Sequence, residues 1–278
     1  MISKRQKILA LVRTLFIGVI ALLFTIPLIW MVCTSLKTVP EVFARDWKWL
    51  PSVPQWENYA YVWTNEYAPM ARSFLNSFLV VIGSIVGQLS FASLAAYAFA
   101  KINFKGKNAV FALFLSSMMI PGQVTIIPRF MLFKTIGLYN SLWAVILPNF
   151  FGATAMFMLR QFYMGLPDDL MEAAKMDGAG HFRIFTRIML PLTKPAVVSM
   201  VILSFISSWN EYLSPLIFLI DKKKFVVSQI IRWYMEEDSD PTHLIMAASA
   251  ISLIPTLVLF ATCQKHFIEG IATSGVKG

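Results

Sequence analysis

The sequence predicts an all-α membrane protein with six transmembrane helices, and three observations carry that fold class. Residues of the AVILMFWYC set make up 57% of the 278 residues and DEKR only 14%, against roughly 25% charged residues in an ordinary soluble domain. Six stretches lack Lys and Arg for long enough to span a bilayer, which takes about 20 mostly apolar residues. None alternates with period 2, and each is longer than the roughly 10 residues of a barrel strand. A single aqueous core cannot hide this much apolar surface, so lipid is the solvent for much of the chain.

In chain order the windows are 14–36, 73–100, 108–128, 135–159, 195–220 and 244–264. The first follows the basic start MISKRQK, as a signal peptide would. Its uncharged run exceeds the 7 to 15 residues of an h-region and ends in MVCTSLK without a small-x-small cleavage signal, so an uncleaved first helix is expected. Pro27, Pro121, Pro148, Pro215 and Pro255 lie inside windows. Membrane bundles tolerate such prolines, and kinks are expected at them.

With the N-terminus inside, the inner segments hold 14 of the 24 Lys and Arg, including the N-terminal cluster and KINFKGK. The positive-inside rule therefore places both ends in the cytoplasm, and the net charge of +9 concentrates there. Anionic lipid accounts for that basic face, so nucleic-acid binding is not invoked. Cys33 and Cys263 fall in spans without metal-ligand spacing, and His181, His243 and His266 are scattered. No G-x-x-x-x-G-K-[ST] occurs, so the chain cannot cradle a nucleotide by that route; energy for any driven process comes from elsewhere, and no cofactor is expected on this chain.

The stretch EAAKMDGAGHFRIFTRIMLP, residues 172–191, is polar where its surroundings are apolar. It lies in the inner segment 160–194. Pro167, Asp168 and Asp169 suit a helix start, with proline and carboxylates at the positive end of the dipole, and Gly178 and Gly180 suit its end. Leu170, Ala174 and Gly178 recur every four residues and predict a small face for close approach. A second short helix is expected over 181–189, stopped by Leu190 and Pro191. From the pattern alone, an interfacial amphipathic helix and a docking knob both remain open. So do two partners for Glu172: Lys175 one turn on, or a group on another subunit.

Glu172, Ala173 and Ala174, then Gly178 four residues on, then Ile188, Leu190 and Pro191 resemble the EAA motif of membrane subunits of bacterial ATP-binding-cassette (ABC) importers. Seven positions match at fixed intervals, in a segment that also holds Asp177. TSLKTVPEVF, ENYAYVW, SLAAYAFAKINFKGK, MMIPGQVTIIP, SWNEYLSPLIF and the terminal GIATSGVKG extend the likeness along nearly the whole chain. Together they resemble the smaller permease of maltose-type carbohydrate importers. The resemblance implies one type I permease domain over 1–278, with a coupling helix in 160–194 that docks in a groove of an ATPase. It also implies a second permease subunit, two ATPase subunits that bind the ATP, an extracytoplasmic solute-binding protein and a sugar substrate.

Glu211 is the one acid inside a window, and an ionisable group there is a functional candidate because its burial costs on the order of 2 to 3 kcal/mol. It stands about 24 Å along a helix from Pro195 at 1.5 Å per residue. Pro215 cannot donate to the carbonyl of residue 211, which predicts a bend and a free oxygen there. Asn210, Glu211, Tyr212 and Pro215 are thus candidates for a gate or path lining, with an interhelical latch as the alternative. Trp30, Trp143 and Trp233 read as interface anchors or packing residues before sugar-stacking ligands. The outer segment 37–72, with Trp47, Trp49, Trp56 and Trp63, is long enough to meet a receptor. A secondary transporter would repeat acids or broken helices between two halves, and a membrane enzyme would cluster a nucleophile with acid and base groups. The sequence has neither pattern.

Overall fold

The computed structural model describes residues 4–46, 48–67, 69–237 and 241–275, and the side chains of these except 4, 5, 237 and 264–275. Trp47 and Lys277 lie outside the described residues, as do the side chains of Lys4, Arg5, Lys265 and His266. Among the described residues the regular structure is helical throughout.

Two compact units comprise residues 1–70 with 230–254, and 71–229 with 255–278. In the first, α1 (Lys4–Ser35) contains Pro27 and exposes nearly all its apolar side chains, as a lipid-facing helix does. A short α2 (Val39–Val42) and α3 (Glu57–Thr64) follow. They are tied to the end of α1 by Asn58 Nδ2, which donates to the Ser35 and Lys37 carbonyls at 2.9 and 3.0 Å. Glu41 accepts from the backbone of Ser52 and Thr38, and the Ser52 side chain first, then these two backbone bonds, hold its carboxyl below the usual range.

The second unit is built on α4 (Met70–Lys101). It continues through α5 (Lys107–Ser116), α6 (Ile126–Thr135), α7 (Leu142–Ile146), α8 (Ala153–Met164) and α9 (Asp169–Met176). There follow α10 (His181–Ile184), α11 (Leu190–Leu192), α12 (Lys194–Trp209) and α13 (Leu213–Phe218). Two further helices, α14 (Val227–Glu237) and α15 (Thr242–Gly275), complete the chain, and their residues 230–254 belong to the first unit.

Each predicted window holds helix, but not six equal rods. Among the described residues four helical stretches are long and apolar enough to cross a membrane: Gln6–Ser35, Met70–Lys101, Leu142–Met164 and Thr242–Cys263. A fifth arises if His181–Leu192 and Lys194–Trp209, which meet at 76°, form one span. Window 108–128 is instead a shorter apolar helix, Lys107–Met119. Pro121 and Gly122 break it into turns before α6 begins. Window 135–159 starts late, because Gly137 and Asn140 adopt positive φ and turn the chain before Leu142. Pro148 sits in a 3-10 stretch, Leu147–Phe151, whereas Pro27 and Pro255 are carried inside continuous helices.

One face of α4 carries buried polar groups that the hydropathy reading overlooked. Asn76 donates to the carbonyls of Lys223 and Phe225, Ser77 accepts from the Val227 amide at 2.9 Å, and Ser84 accepts from Asn149 at 3.0 Å. Ser204 donates to Gln88. Away from water such bonds hold helices together, because an unmet polar group in hydrocarbon is costly. Between these contacts the helices approach closely over small residues. Ala92, Ala96, Ala155 and Ala196 are all buried, and Gly87 faces the ring of Phe150.

A Cβ at Gly87 would overlap that ring. Gly87→Leu should therefore lower the thermal stability of the detergent-purified protein by about 1 to 3 kcal/mol, the usual range for overpacking. Gly18→Leu, where a Cβ meets nothing within 4 Å, should leave the melting curve in place.

Candidate functional site

The polar stretch folds as a helix and an elbow. Helix α9 starts at Asp169 with Asp168 as N-cap and Pro167 just outside. Its end is a Schellman turn: the Gly178 amide bonds the Lys175 carbonyl at 3.0 Å and the Ala179 amide bonds the Ala174 carbonyl at 2.9 Å. Gly178 has φ +79°, the left-handed conformation that such a turn demands and that glycine adopts without penalty. The interval from Ala174 to Gly178 thus has a backbone reason: Ala174 supplies the carbonyl that the turn closes on.

Of the small face of Leu170, Ala174 and Gly178, only Ala174 is buried within the chain. Met171 and Ala174 are buried, while Leu170, Glu172, Ala173, Asp177 and Gly178 are exposed. The buried stripe is set by what lies beneath, the end of α4. Tyr97 rests there with its hydroxyl 3.8 Å from Met171 Sδ and 3.1 Å from His181 Nδ1, and its ring packs on Tyr163 and Phe185. Four residues on, Lys101 Nζ donates to the Leu166 carbonyl at 2.6 Å and to Asp168 at 2.5 Å. The Lys101 hydrogen bond and charge hold the Asp168 carboxyl below the usual range. That contact is therefore present at neutral pH and is lost only as pH falls through the lowered value.

The second helix also differs from expectation. Leu190 and Pro191 do not stop it: α10 widens into a π turn, Phe185–Met189, and runs on through α11. It ends at Thr193, whose amide and hydroxyl both reach the Met189 carbonyl, at 3.1 and 3.0 Å. The 76° bend into α12 follows. Ile188 and Leu190 are half-buried against the core beneath. Outward, the elbow shows Met176 at 88% exposure and Phe182 at 73%. Ala174, Asp177, Ala179, Arg183, Arg187 and Ile188 line an open hollow of ≈ 300 Å³. Glu172 forms no ion pair with Lys175.

The intramembrane candidates lie where the helix is interrupted. Trp209 ends α12 against Phe74, Phe78 and Phe205, Asn210 is exposed, and Glu211 and Tyr212 are half-buried. The break does not come from Pro215, which occupies the first turn of α13, where its missing N–H would lack an intrahelical acceptor anyway. Nor is the Glu211 carbonyl free: the Ser228 hydroxyl donates to it at 2.8 Å. The Glu211 carboxylate accepts from the Ser214 amide at 2.8 Å, capping α13. Tyr97, Lys101 and His181 were missed in the sequence as site residues. A tyrosine four residues before a lysine, at the end of an otherwise apolar helix, was the available signal.

A family model described as binding-protein-dependent transport system inner membrane component matches residues 88–272. The chain belongs to that family. This inner membrane component is 34% identical over 278 residues to the arabinooligosaccharides transport system permease protein AraQ of Bacillus subtilis, covering 99% of each chain. It is 34% identical over 266 residues to the sn-glycerol-3-phosphate transport system permease protein UgpE of Yersinia pestis, covering 94% of each. A bacterial ABC transporter involved in alginate import shares its fold with TM-score 0.83 at 22% identity, covering 96% of this chain and 99% of that one. Among the described residues no group of acidic, His or Cys side chains could hold a metal ion, and Cys33 and Cys263 are free.

A Cβ at position 178 would meet nothing within 4 Å, so a substitution there is penalised by backbone conformation and not by crowding. Gly178→Ala should weaken the elbow by about 1 to 2 kcal/mol, seen as faster hydrogen exchange at the Ala179 amide. Gly180, at φ −70°, should tolerate alanine with unchanged exchange.

Proposed function

We propose that this inner membrane component forms half of the translocation path of an ABC importer for a sugar or oligosaccharide, and that residues 160–194 transmit work from ATPase subunits. The carrying observation is the two-sided build of the elbow. One side of α9 is pinned to α4 through Met171, Asp168 and Leu166. The other offers Met176 and Phe182 beside a hollow flanked by Arg183 and Arg187. Exposed apolar anchors ringed by charge suit a groove on a soluble protein better than water. Glu172, Ala173, Ala174, Asp177 and Gly178 give that side a rigid helix end, with Ile188, Leu190 and Pro191 bracing the helix that follows.

In this reading the elbow and both chain ends face the cytoplasm. A second permease completes the path, two ATPase subunits bind the ATP, and an extracytoplasmic solute-binding protein delivers the substrate. The name of AraQ supports a sugar or oligosaccharide, and that of UgpE supports a polar, hydroxyl-rich solute as the broader class. Asn210, Glu211, Tyr212 and Pro215 remain the candidates for the path or its gate. The capping bonds of Glu211 support a role in holding the interruption open across α12 and α13.

The chain alone in nanodiscs should hydrolyse no ATP above background, and steady turnover by it would end this reading. Gly178→Arg should reach the membrane at normal levels yet lose its ATPase subunits on detergent purification. An intact complex with undiminished uptake, assayed with arabino-oligosaccharides and sn-glycerol 3-phosphate in proteoliposomes, would place the ATPase contact elsewhere.

A further inference from the structure

Both ends of the docking helix close on one turn of α4. Lys101, whose side chain is 4% exposed, holds the Leu166 carbonyl and Asp168 immediately before α9. Tyr97, buried one turn earlier, meets Met171 within α9 and His181 just beyond the elbow. The helices adjoining in sequence are set off by a linker and a bend. Gly165 and Pro167 separate α8 from α9, and the 76° bend at Thr193 separates α11 from α12. Helix α4 is continuous over 32 residues, about 48 Å at 1.5 Å per residue, which is enough to cross the bilayer.

We infer that Tyr97 and Lys101 are positioning residues that lock the docking segment to α4, so that α4 carries displacement of the elbow across the membrane. This rests on the docking reading above. A hydrogen bond between a tyrosine and an exposed histidine adds direction to ring packing that is otherwise free to slide. The lysine is buried except through its partners, so it fixes the start of α9 against the same turn. The two contacts, four residues apart on one helix face, resist rotation as well as translation.

The test uses the whole transporter with its own ATPase subunits in nanodiscs, in a Cys33→Ser, Cys263→Ser background. A nitroxide at Leu75→Cys, an exposed position near the far end of α4, reports movement when MgATP and vanadate are added. A benzophenone at Met176→Cys reports contact with the ATPase. The expected result is a spectral change at position 75 that falls about threefold or more in Tyr97→Phe and in Lys101→Met, as loss of one directional bond predicts, while cross-linking from position 176 persists. His181→Leu should match Tyr97→Phe, the double variant should be no worse than either, and His181→Asn, whose amide can replace Nδ1, should restore the response. If Tyr97→Phe does not assemble, His181→Leu carries the same arm, since it leaves α4 untouched. An unchanged response in these variants, or no response at position 75 in the otherwise unaltered complex, overturns the assignment to α4. Absence of cross-linking from position 176 in every background overturns the docking reading instead.

Discussion

The ammonium of Lys101 is the constraint around which the rest of the second unit is arranged. An apolar helix of 32 residues ends in a cation that the fold buries. A buried charge must find acceptors. It finds them in the loop after α8, so the chain leaving α8 has to return to the end of α4 before α9 can begin. The N-cap of α9 is itself the aspartate that answers the lysine. The Lys101 contacts thereby fix where the polar segment starts, and Tyr97 one turn earlier sets which face of α9 is covered.

The remaining geometry of the elbow is backbone chemistry. A helix ending in a Schellman turn needs a residue in the left-handed region, and the Ala174 carbonyl together with Gly178 provides the closure. Beside that turn, Met176 and Phe182 lie exposed on the outward surface. Rigidity on the inner side and apolar exposure on the outer side are two results of the same arrangement.

Within the membrane the organising feature is polar. Asn76, Ser77, Ser84 and Gln88 recur along α4 and hold segments from three later parts of the chain, around residues 149, 204 and 223–227. Lipid competes well for apolar surface but not for hydrogen bonds, so this stripe specifies which segments lie beside α4 where hydropathy cannot. The interruption between α12 and α13 follows the same logic. It persists because Ser228 and Ser214 satisfy the carbonyl and carboxylate of Glu211.

What the sequence determined by itself is whatever depends on neighbours a few residues apart. The apolar windows followed from composition, the start of α9 from Pro167, Asp168 and Asp169, and the elbow from Gly178 and Gly180. These are local requirements of lipid solvation, helix dipoles and turn geometry. The resemblance carried by Glu172, Ala173, Ala174 and Gly178 led to the family. The tertiary structure alone decided that Lys101 pairs with Asp168 across 67 residues and Tyr97 with His181 across 84. It also decided that Met171, and not Leu170, lies on the buried side, and that Pro215 begins a helix instead of bending one. Hydropathy reports how well a residue suits lipid, not which distant group it will meet, and each of these outcomes was set by a partner supplied from elsewhere in the chain.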